Sequence, residues 1–295
     1  MKILNVSDMH LRHDRPICRM DSDWIGTQQK TVDWIVQKAV ELGCDYIIDN
    51  GDTVHVSSQP HTVINIIPNA LSKYGKGIKW IMMPGNHSLQ YHQIKNIPKS
   101  VLSTLNHCED ITVLDCNDQF EAEFEDIPII HRLMFPNEDA VPWYLKEKGE
   151  FEHAQNLLDA YPHHNLILTG DYHHAWVHEV DGRFVVNPGC MLRQTADMID
   201  YQPSVYIIEF DPIKSTVGSI DKIDIPDDGE LTSNEHILKV AESEKGIDNF
   251  LTTIKEQESL SLDFWDNMEK YIKQNDIEQD IEDIILTEVK PCKTH

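Results

Sequence analysis

Short clusters of Asp, His, Asn and Gly follow four apolar segments of this chain, and their recurrence constrains the fold most strongly. They are Asp8-Met9-His10, Gly51-Asp52-Thr53-Val54-His55, Gly85-Asn86-His87 and Gly170-Asp171-Tyr172-His173. Helical periodicity over about 24–42 and 60–73 separates the first three segments, and alternating strands and helices are typical of a largely parallel sheet. Because ligands bind beyond the carboxyl ends of such strands, we expect the clusters to converge at one edge.

The second half of the chain predicts more strands, with more antiparallel character. Strand-like segments lie near 127–130, 165–169, 176–180, 183–187 and 204–210, and the stretch over 138–161 reads as helical. The pattern predicts an α/β fold in which a two-sheet β-sandwich is flanked by helices.

The acidity of the chain rises after Phe210, which suggests a domain boundary there. We expect residues 1–210 to form the main domain. Residues 211–295 are expected to form an acidic, mostly helical C-terminal region that caps the domain or docks a partner, with helices near 233–256 and 262–287.

The four clusters supply the donors that a pair of divalent metals requires, namely carboxylates that can bridge and further oxygen and imidazole ligands. A single histidine, His131, also ends the apolar run at 127–130. A preference of these residues for turns explains any one cluster, but it explains poorly their recurrence at successive strand ends. The sequence therefore predicts a dinuclear metal centre.

The order D-x-H, G-D-x-x-H, G-N-H and a late G-x-x-H resembles the calcineurin-like metallophosphoesterase superfamily. Within it, the chain is most similar to the SbcD-type DNA repair nucleases, particularly their phage-encoded versions. The histidine that ends G-D-x-x-H, the opening S-D-M-H-L and the segment over 187–193 carry this narrower resemblance. The resemblance covers residues 1–210 well and the C-terminal region, residues 211–295, weakly.

The resemblance implies roles for individual residues and two bound metal ions, with Mn²⁺ expected and Mg²⁺ as the alternative. Asp8, His10 and His173 would hold the first metal. Asp52 would bridge, and Asn86, His131 and Asp171 would hold the second.

The same resemblance assigns residues to the substrate. His87 would face the scissile phosphate and stabilise or protonate the leaving oxygen, so it is grouped with Asp52 and His55 as catalytic. His55 would contact the phosphate or the DNA backbone. Arg193 is a further phosphate candidate, with a surface ion pair as the alternative.

Two positions depart from the usual family pattern. Asp171 stands where G-H-x-H has an imidazole, and this carboxylate lowers the net charge of the centre while remaining a suitable ligand for Mn²⁺ or Mg²⁺. His174 could replace Asp171 if the loop shifted. Ser88 stands where an acid often follows G-N-H, which would change how His87 is oriented.

The resemblance implies a metal-dependent DNA exonuclease and endonuclease. It would act in repair, recombination or replication with an SbcC-like ATPase of the SMC family. A stand-alone phosphoesterase that acts on a small molecule or a phosphoprotein is the alternative, favoured by Asp171 and by the net charge of −25, which opposes autonomous DNA binding. A binding subunit with a decayed site is disfavoured by the complete motifs.

Assembly and location are also expectations at this point. The resemblance implies a homodimer, with the apolar residues 63–67 or the helix after Gly85-Asn86-His87 as candidate faces, although both also suit core helices.

No apolar run is long enough to span a membrane, and the N-terminus reads as a strand rather than a secretory signal. Six scattered cysteines suit a reducing cytoplasm, or the host cytoplasm for a phage protein.

Overall fold

The computed structural model describes residues 1–149, 151–226, 232, 233 and 235, and single positions between 268 and 284. The chain divides into two compact units, Met1–Asn234 and Glu235–His295. Within the described residues, no helix has the length and apolar character needed to cross a membrane.

The strands of the first unit carry the framework of the fold. They are β1 (Lys2–Val6), β2 (Tyr46–Asp49), β3 (Lys79–Met82), β4 (Ile111–Val113), β5 (Glu121–Phe124), β6 (Ile127–His131), β7 (Leu166–Gly170), β8 (Trp176–Val180), β9 (Arg183–Asn187), β10 (Ser204–Asp211) and β11 (Thr216–Asp224). The helices are α1 (Trp24–Glu41), α2 (His61–Ile64), α3 (Ile66–Tyr74), α4 (Val101–Leu105), α5 (Trp143–Lys148) and α6 (Ala154–Ala160).

The strands form two mixed sheets. The first has the order β11-β10-β1-β2-β3-β4, in which β1 to β4 are parallel and β10 and β11 are antiparallel additions. The second has the order β5-β6-β7-β9-β8, with β6, β7 and β9 parallel. The carboxyl ends of β1, β2 and β3 therefore share one edge, and those of β6 and β7 share another.

Three apolar clusters hold these layers together. One contains residues of both sheets, such as Ile48 and Leu168, and fills the space between them. Another packs α1, α3 and α4 on the first sheet, and a third packs α6 on the second. This arrangement of two sheets between helices confirms the predicted α/β sandwich.

Several boundaries differ from the sequence-based expectations. The helix expected over 60–73 divides at Asn65, because Pro68 has no N–H to donate to the carbonyl of Ile64. The helical stretch expected over 138–161 contains α5 and α6 separated by Gly149, which has a left-handed φ of 66°. Strands β4, β5 and β11 were not expected.

The expected domain boundary after residue 210 falls inside the antiparallel pair β10–β11. The main compact unit extends instead to Asn234, because β11 completes the first sheet. The helices expected near 233–256 lie almost wholly outside the described residues. Those expected near 262–287 are described only at single positions, among them the helical Met268 and residues 271–273. The capping or docking role of this region stays a prediction.

One of the two candidate dimer faces, the apolar residues 63–67, lies largely in the hydrophobic core of the same chain. Val63, Ile66 and Ile67 are each about 1% exposed and pack in the apolar cluster beneath α1 and α3. The homodimer stays a prediction, but this face does not support it.

Candidate metal centre

The loops that follow β1 and β2 lie side by side and are joined through their main chains. The N–H of Asp8 donates to the Gly51 carbonyl at 3.0 Å, and the N–H of His10 donates to the Asp52 carbonyl at 2.8 Å. The N–H of Leu11 continues the pairing with Thr53 at 2.9 Å. These main-chain hydrogen bonds hold the D-x-H and G-D-x-x-H clusters next to each other.

Four predicted ligands have backbone conformations that L-residues rarely adopt. The φ angles are 51° for Asp8, 45° for His10, 49° for Asp52 and 83° for Asp171. A non-glycine residue in the left-handed region costs on the order of 1–3 kcal/mol, and such strain concentrates at functional sites. The strain is explained if these sharp turns aim the ligand side chains at a common centre.

The predicted first-metal ligands Asp8, His10 and His173 meet at this edge. One ligand atom of each lies within 4.8 Å of the other two. Nε2 of His10 is 3.2 Å from Nε2 of His173, and each of these nitrogens is 3.9 Å from Oδ1 of Asp8. The group offers two imidazoles and one carboxylate.

A second group forms around Asp52, whose bridging role stays a prediction. Asp8, Asp52 and His131 each place a ligand atom within 4.8 Å of the others. Nε2 of His131 lies 3.3 Å from Oδ2 of Asp52 and 4.0 Å from Oδ1 of Asp171. Nε2 of His10 lies 3.7 Å from Oδ2 of Asp52, which therefore faces both groups.

Asn86 reaches the same neighbourhood through the backbone of His87. The N–H of His87 donates both to Oδ1 of Asp52 at 3.0 Å and to Oδ1 of Asn86 at 2.7 Å. Because one N–H serves both oxygens, the Asn86 amide oxygen lies beside the Asp52 carboxylate. The ligand role of Asn86 stays a prediction.

Buried polar atoms without hydrogen bonds provide a test of whether these residues suit metal ions. Among the described residues, Oδ1 of Asp8 is buried and has no hydrogen-bond partner. Oδ2 of Asp52 and Nε2 of His131 are also buried, and they face each other without a hydrogen bond to another described group. Unsatisfied buried groups of this kind are costly, and divalent cations would satisfy them. The donor set therefore fits two metals.

Two glycines allow the loops to approach the ligands. A Cβ on Gly51, whose φ is 120°, would lie 2.4 Å from Nδ1 of His131. A Cβ on Gly85 would lie 2.2 Å from both N and Oδ1 of Asp52. The glycines of G-D-x-x-H and G-N-H are thus required by the close packing of the centre.

Burial and mutual charge determine the ionisation of the ligands. Burial lowers the pKa of His10 to about 3, so its ring is neutral. Burial also raises the pKa of Asp8 and that of Asp171. For Asp52 and His131 burial is outweighed by their pairing, which lowers the pKa of Asp52 and raises that of His131 to about 10. Metal binding must therefore displace a proton from His131.

His87 and His55, the two histidines predicted to contact the substrate, lie next to the candidate metal ligands. The ring of His87 meets that of His10 edge-on at 5.0 Å and stacks on that of His55 at 5.5 Å. His87 is exposed and His55 is half-buried, so both can reach a bound phosphate. Their placement suits the predicted roles, which stay predictions.

Arg193, the further candidate for phosphate contact, and His174, the alternative metal ligand, lie outside the ligand groups described above. The buried side chain of Arg193 donates from Nη1 to the Ile199 carbonyl and lines a cavity of about 480 Å³ with Arg19 and Trp34. The ring of His174 packs against Tyr172 and Tyr201, whereas the Asp171 carboxylate faces His131. The geometry favours Asp171 over His174 as the ligand.

Several supporting residues were not anticipated from the sequence. The side chain of Asn50 donates to the Thr169 carbonyl at 2.7 Å and pairs with Asn5, which connects the two sheets beneath the centre. Asn187 donates to the carbonyls of Tyr172 and His174, on either side of His173. The supporting role of Asn50 has one sequence signal, namely that this residue directly precedes Gly51-Asp52.

Comparison with known proteins gives a family match for the N-terminal part of the chain. Residues 1–133 match the model of the calcineurin-like phosphoesterase family. No curated protein gives a significant match. The matched residues include both strand-end loops that contribute Asp8, His10 and Asp52, and they extend to His131.

The solved structures that this chain matches have low sequence identity to it. An archaeal phosphodiesterase is 16% identical with a TM-score of 0.40, over 76% of this chain and 99% of that one. A phosphoesterase from E. coli is 12% identical with a TM-score of 0.37, over 77% and 100%. A putative 5'-nucleotidase from Staphylococcus aureus is 14% identical with a TM-score of 0.41, over 82% and 58%.

Of the candidate metal groups, Asp8–Asp52–His131 lies wholly within the matched residues, whereas Asp8–His10–His173 includes a histidine beyond them. Residues 1–133 are thus similar to the calcineurin-like phosphoesterase family, and this part of the chain contains Asp8, His10, Asp52 and His131, which belong to groups that could hold metal ions.

Proposed function

We propose that the protein is a DNA phosphodiesterase of the SbcD type that uses two divalent metal ions, Mn²⁺ being the metal expected. The observation that carries this proposal is the convergence of the Asp8, Asp52 and His131 donors beside a pair of solvent-accessible histidines. The narrower assignment to DNA rests on the histidine that ends G-D-x-x-H, here His55, which stands next to His87.

When bound, the two cations supply Lewis-acid activation of water and phosphate. The carboxylates and imidazoles of the chain orient them, with Asp52 facing both groups. His87 assists departure of the leaving oxygen by hydrogen bonding or proton transfer, and His55 contacts a non-reacting oxygen of the phosphate or of the DNA backbone.

The net charge of −25 bears on how DNA would reach the centre. A protein this acidic lacks the overall basic character that usually supports nucleic-acid binding. We therefore propose that an SbcC-like ATPase presents the DNA and docks on the C-terminal region. A stand-alone phosphoesterase that acts on a small phosphoester or a phosphoprotein is the competing function, favoured by the same acidity.

The test compares linear DNA and a chromogenic phosphodiester as substrates in the presence of Mn²⁺. We expect His87→Ala to lose on the order of 10²–10⁴-fold of DNA hydrolysis while retaining its metal. Retention is expected because the main-chain N–H of residue 87 still bonds to Asp52. His107→Ala, at an exposed histidine in the turn after α4, is the matched control and should keep full activity.

Turnover of only the small ester, with or without an added ATPase subunit, would favour the stand-alone phosphoesterase. No turnover of either substrate by metal-loaded protein would contradict both functions.

A further inference from the structure

Three imidazoles form a cluster beside the proposed metal pair, and one of them, His10, also belongs to the first-metal group. The ring centroids of His10 and His55 are 5.6 Å apart, those of His10 and His87 are 5.0 Å apart, and those of His55 and His87 are 5.5 Å apart. One ring nitrogen of each residue lies within 4.8 Å of the other two. Because they follow three different strands, β1, β2 and β3, the fold itself creates this cluster.

The chemistry of the cluster differs from that of the metal pair. The groups that hold the pair contain the carboxylates of Asp8 and Asp52, whereas this cluster offers only imidazole nitrogen. Carboxylate oxygens suit Mn²⁺ and Mg²⁺, while imidazole suits Zn²⁺. Three protein ligands with a fourth position open to solvent is a common arrangement for zinc.

The geometry requires only modest adjustment to bind such an ion. A zinc–nitrogen bond of about 2.0–2.1 Å places tetrahedral nitrogens about 3.4 Å apart. The present separations of up to 4.8 Å can close by side-chain rotation of His55 and His87, which are half-buried and exposed. The same exposure gives the ion a path to the buried His10.

We propose that His10, His55 and His87 form a zinc-binding site that competes with the metal pair. Zinc at this position takes His10 from the first-metal group and holds His87 away from the phosphate. The protein is therefore inhibited by zinc under conditions in which Mn²⁺ supports activity. This inhibition rests on the proposed function, whereas zinc binding by the cluster does not.

The experiment measures zinc binding to the full-length protein after metals have been removed with a chelator. A chromophoric competitor gives the affinity, and X-ray absorption counts the imidazoles around the first equivalent of zinc. We expect three imidazoles in the unchanged protein. In His55→Ala we expect at least a tenfold lower zinc affinity and two imidazoles or fewer, with Mn²⁺ affinity unchanged.

His92→Ala is the matched control. The ring of His92 also contacts that of His87, at 6.0 Å, but His92 is not in the cluster, so its replacement should leave zinc affinity unchanged. Equal zinc affinity in His55→Ala and the unchanged protein, or two imidazoles or fewer in the unchanged protein, would overturn the proposal by placing zinc at the carboxylate pair.

A separate assay keeps the two proposals distinguishable. In Mn²⁺-driven DNA hydrolysis, the residual activity of His55→Ala should need at least tenfold more zinc for half-inhibition. If no DNA is hydrolysed by any form, the proposed function fails, while the affinity and the imidazole count still decide whether the zinc site exists.

Discussion

The imidazole of His131 donates from Nδ1 to the main-chain carbonyl of Asn50 at 2.9 Å, and its Nε2 faces Oδ2 of Asp52 at 3.3 Å. A carbonyl can only accept, so this bond fixes the proton on Nδ1 in the neutral ring and leaves Nε2 for a metal. The same Asn50 donates from its side chain to the Thr169 carbonyl in the second sheet. Asn50 therefore connects the orientation of His131 to the packing of the two sheets.

Replacing Asn50 tests this connection. In Asn50→Ala the main-chain contact to His131 remains, but Thr169 and Asn5 lose a buried partner. We expect a loss of about 1–3 kcal/mol in unfolding free energy and a roughly 10-fold or greater loss of metal affinity. Denaturant titration and calorimetric Mn²⁺ titration measure the two effects.

Asn165→Ala is the control for Asn50→Ala. Its side-chain amide also donates to a carbonyl, that of Ser215, but it precedes β7 instead of lying at the ligand end. We expect lower stability with unchanged Mn²⁺ affinity. Equal loss of metal affinity in both variants would mean that Asn50 contributes only general stability.

Gly51→Ala should disrupt the centre through crowding of His131. The added Cβ would lie 2.4 Å from Nδ1 of His131, at a backbone φ of 120° that disfavours any side chain. We expect loss of Mn²⁺ binding, measured by metal content after gel filtration, together with a lower melting temperature.

The control for Gly51→Ala is Gly182→Ala in the turn between β8 and β9. Gly182 also has a positive φ, 76°, but a Cβ there would meet no described atom within 4 Å. We expect a stability cost on the order of 1 kcal/mol with full metal content. Retention of metal by both variants would argue against a role for Gly51 in shaping the ligand site.

Asp171→Asn tests the position at which the chain departs from the usual family motif. The main-chain N–H of residue 171 would still donate to Asp8, so the loop should keep its place. Loss of one anionic ligand should weaken binding of the second Mn²⁺ by at least about 10-fold, measured by calorimetry. Asp181→Asn, at an exposed aspartate that also has a positive φ, should have no such effect.

Retention of both Mn²⁺ affinities in Asp171→Asn would remove Asp171 from the ligand set. His174 would not replace it without a rearrangement, because its ring packs on Tyr172 and Tyr201.

The strands that precede the candidate ligands could be predicted from sequence because each is an apolar run followed by a polar cluster. By contrast, β4 has three residues, too few for a periodic pattern, and β11 alternates weakly within an acidic stretch. Asn50 could not be assigned because its role depends on a contact with Thr169, which is 119 residues away. Local patterns therefore indicate the candidate ligands, whereas the groups that orient these side chains depend on tertiary packing.

Asp49 gives a prediction for the pH dependence of stability. It is fully buried, with Oδ1 accepting from the Gly51 N–H and Oδ2 accepting from the Thr53 hydroxyl. Burial raises its pKa to about 7, above the ordinary value of 3.8. The folded state therefore holds a proton that the unfolded state releases between these values. Stability contributed by this group is present at low pH and is lost as pH rises towards about 7.

Asp49→Asn should remove this dependence, because an amide can accept from Gly51 and donate to Thr53 without ionising. Relative to the variant, the unchanged protein should lose on the order of 4 kcal/mol of unfolding free energy between about pH 4 and pH 7. Denaturant titrations of both proteins at several pH values, with a chelator present, measure the difference. Parallel stability profiles would show that Asp49 is ionised in the fold throughout this range, and that the two hydrogen bonds to its carboxylate outweigh its burial.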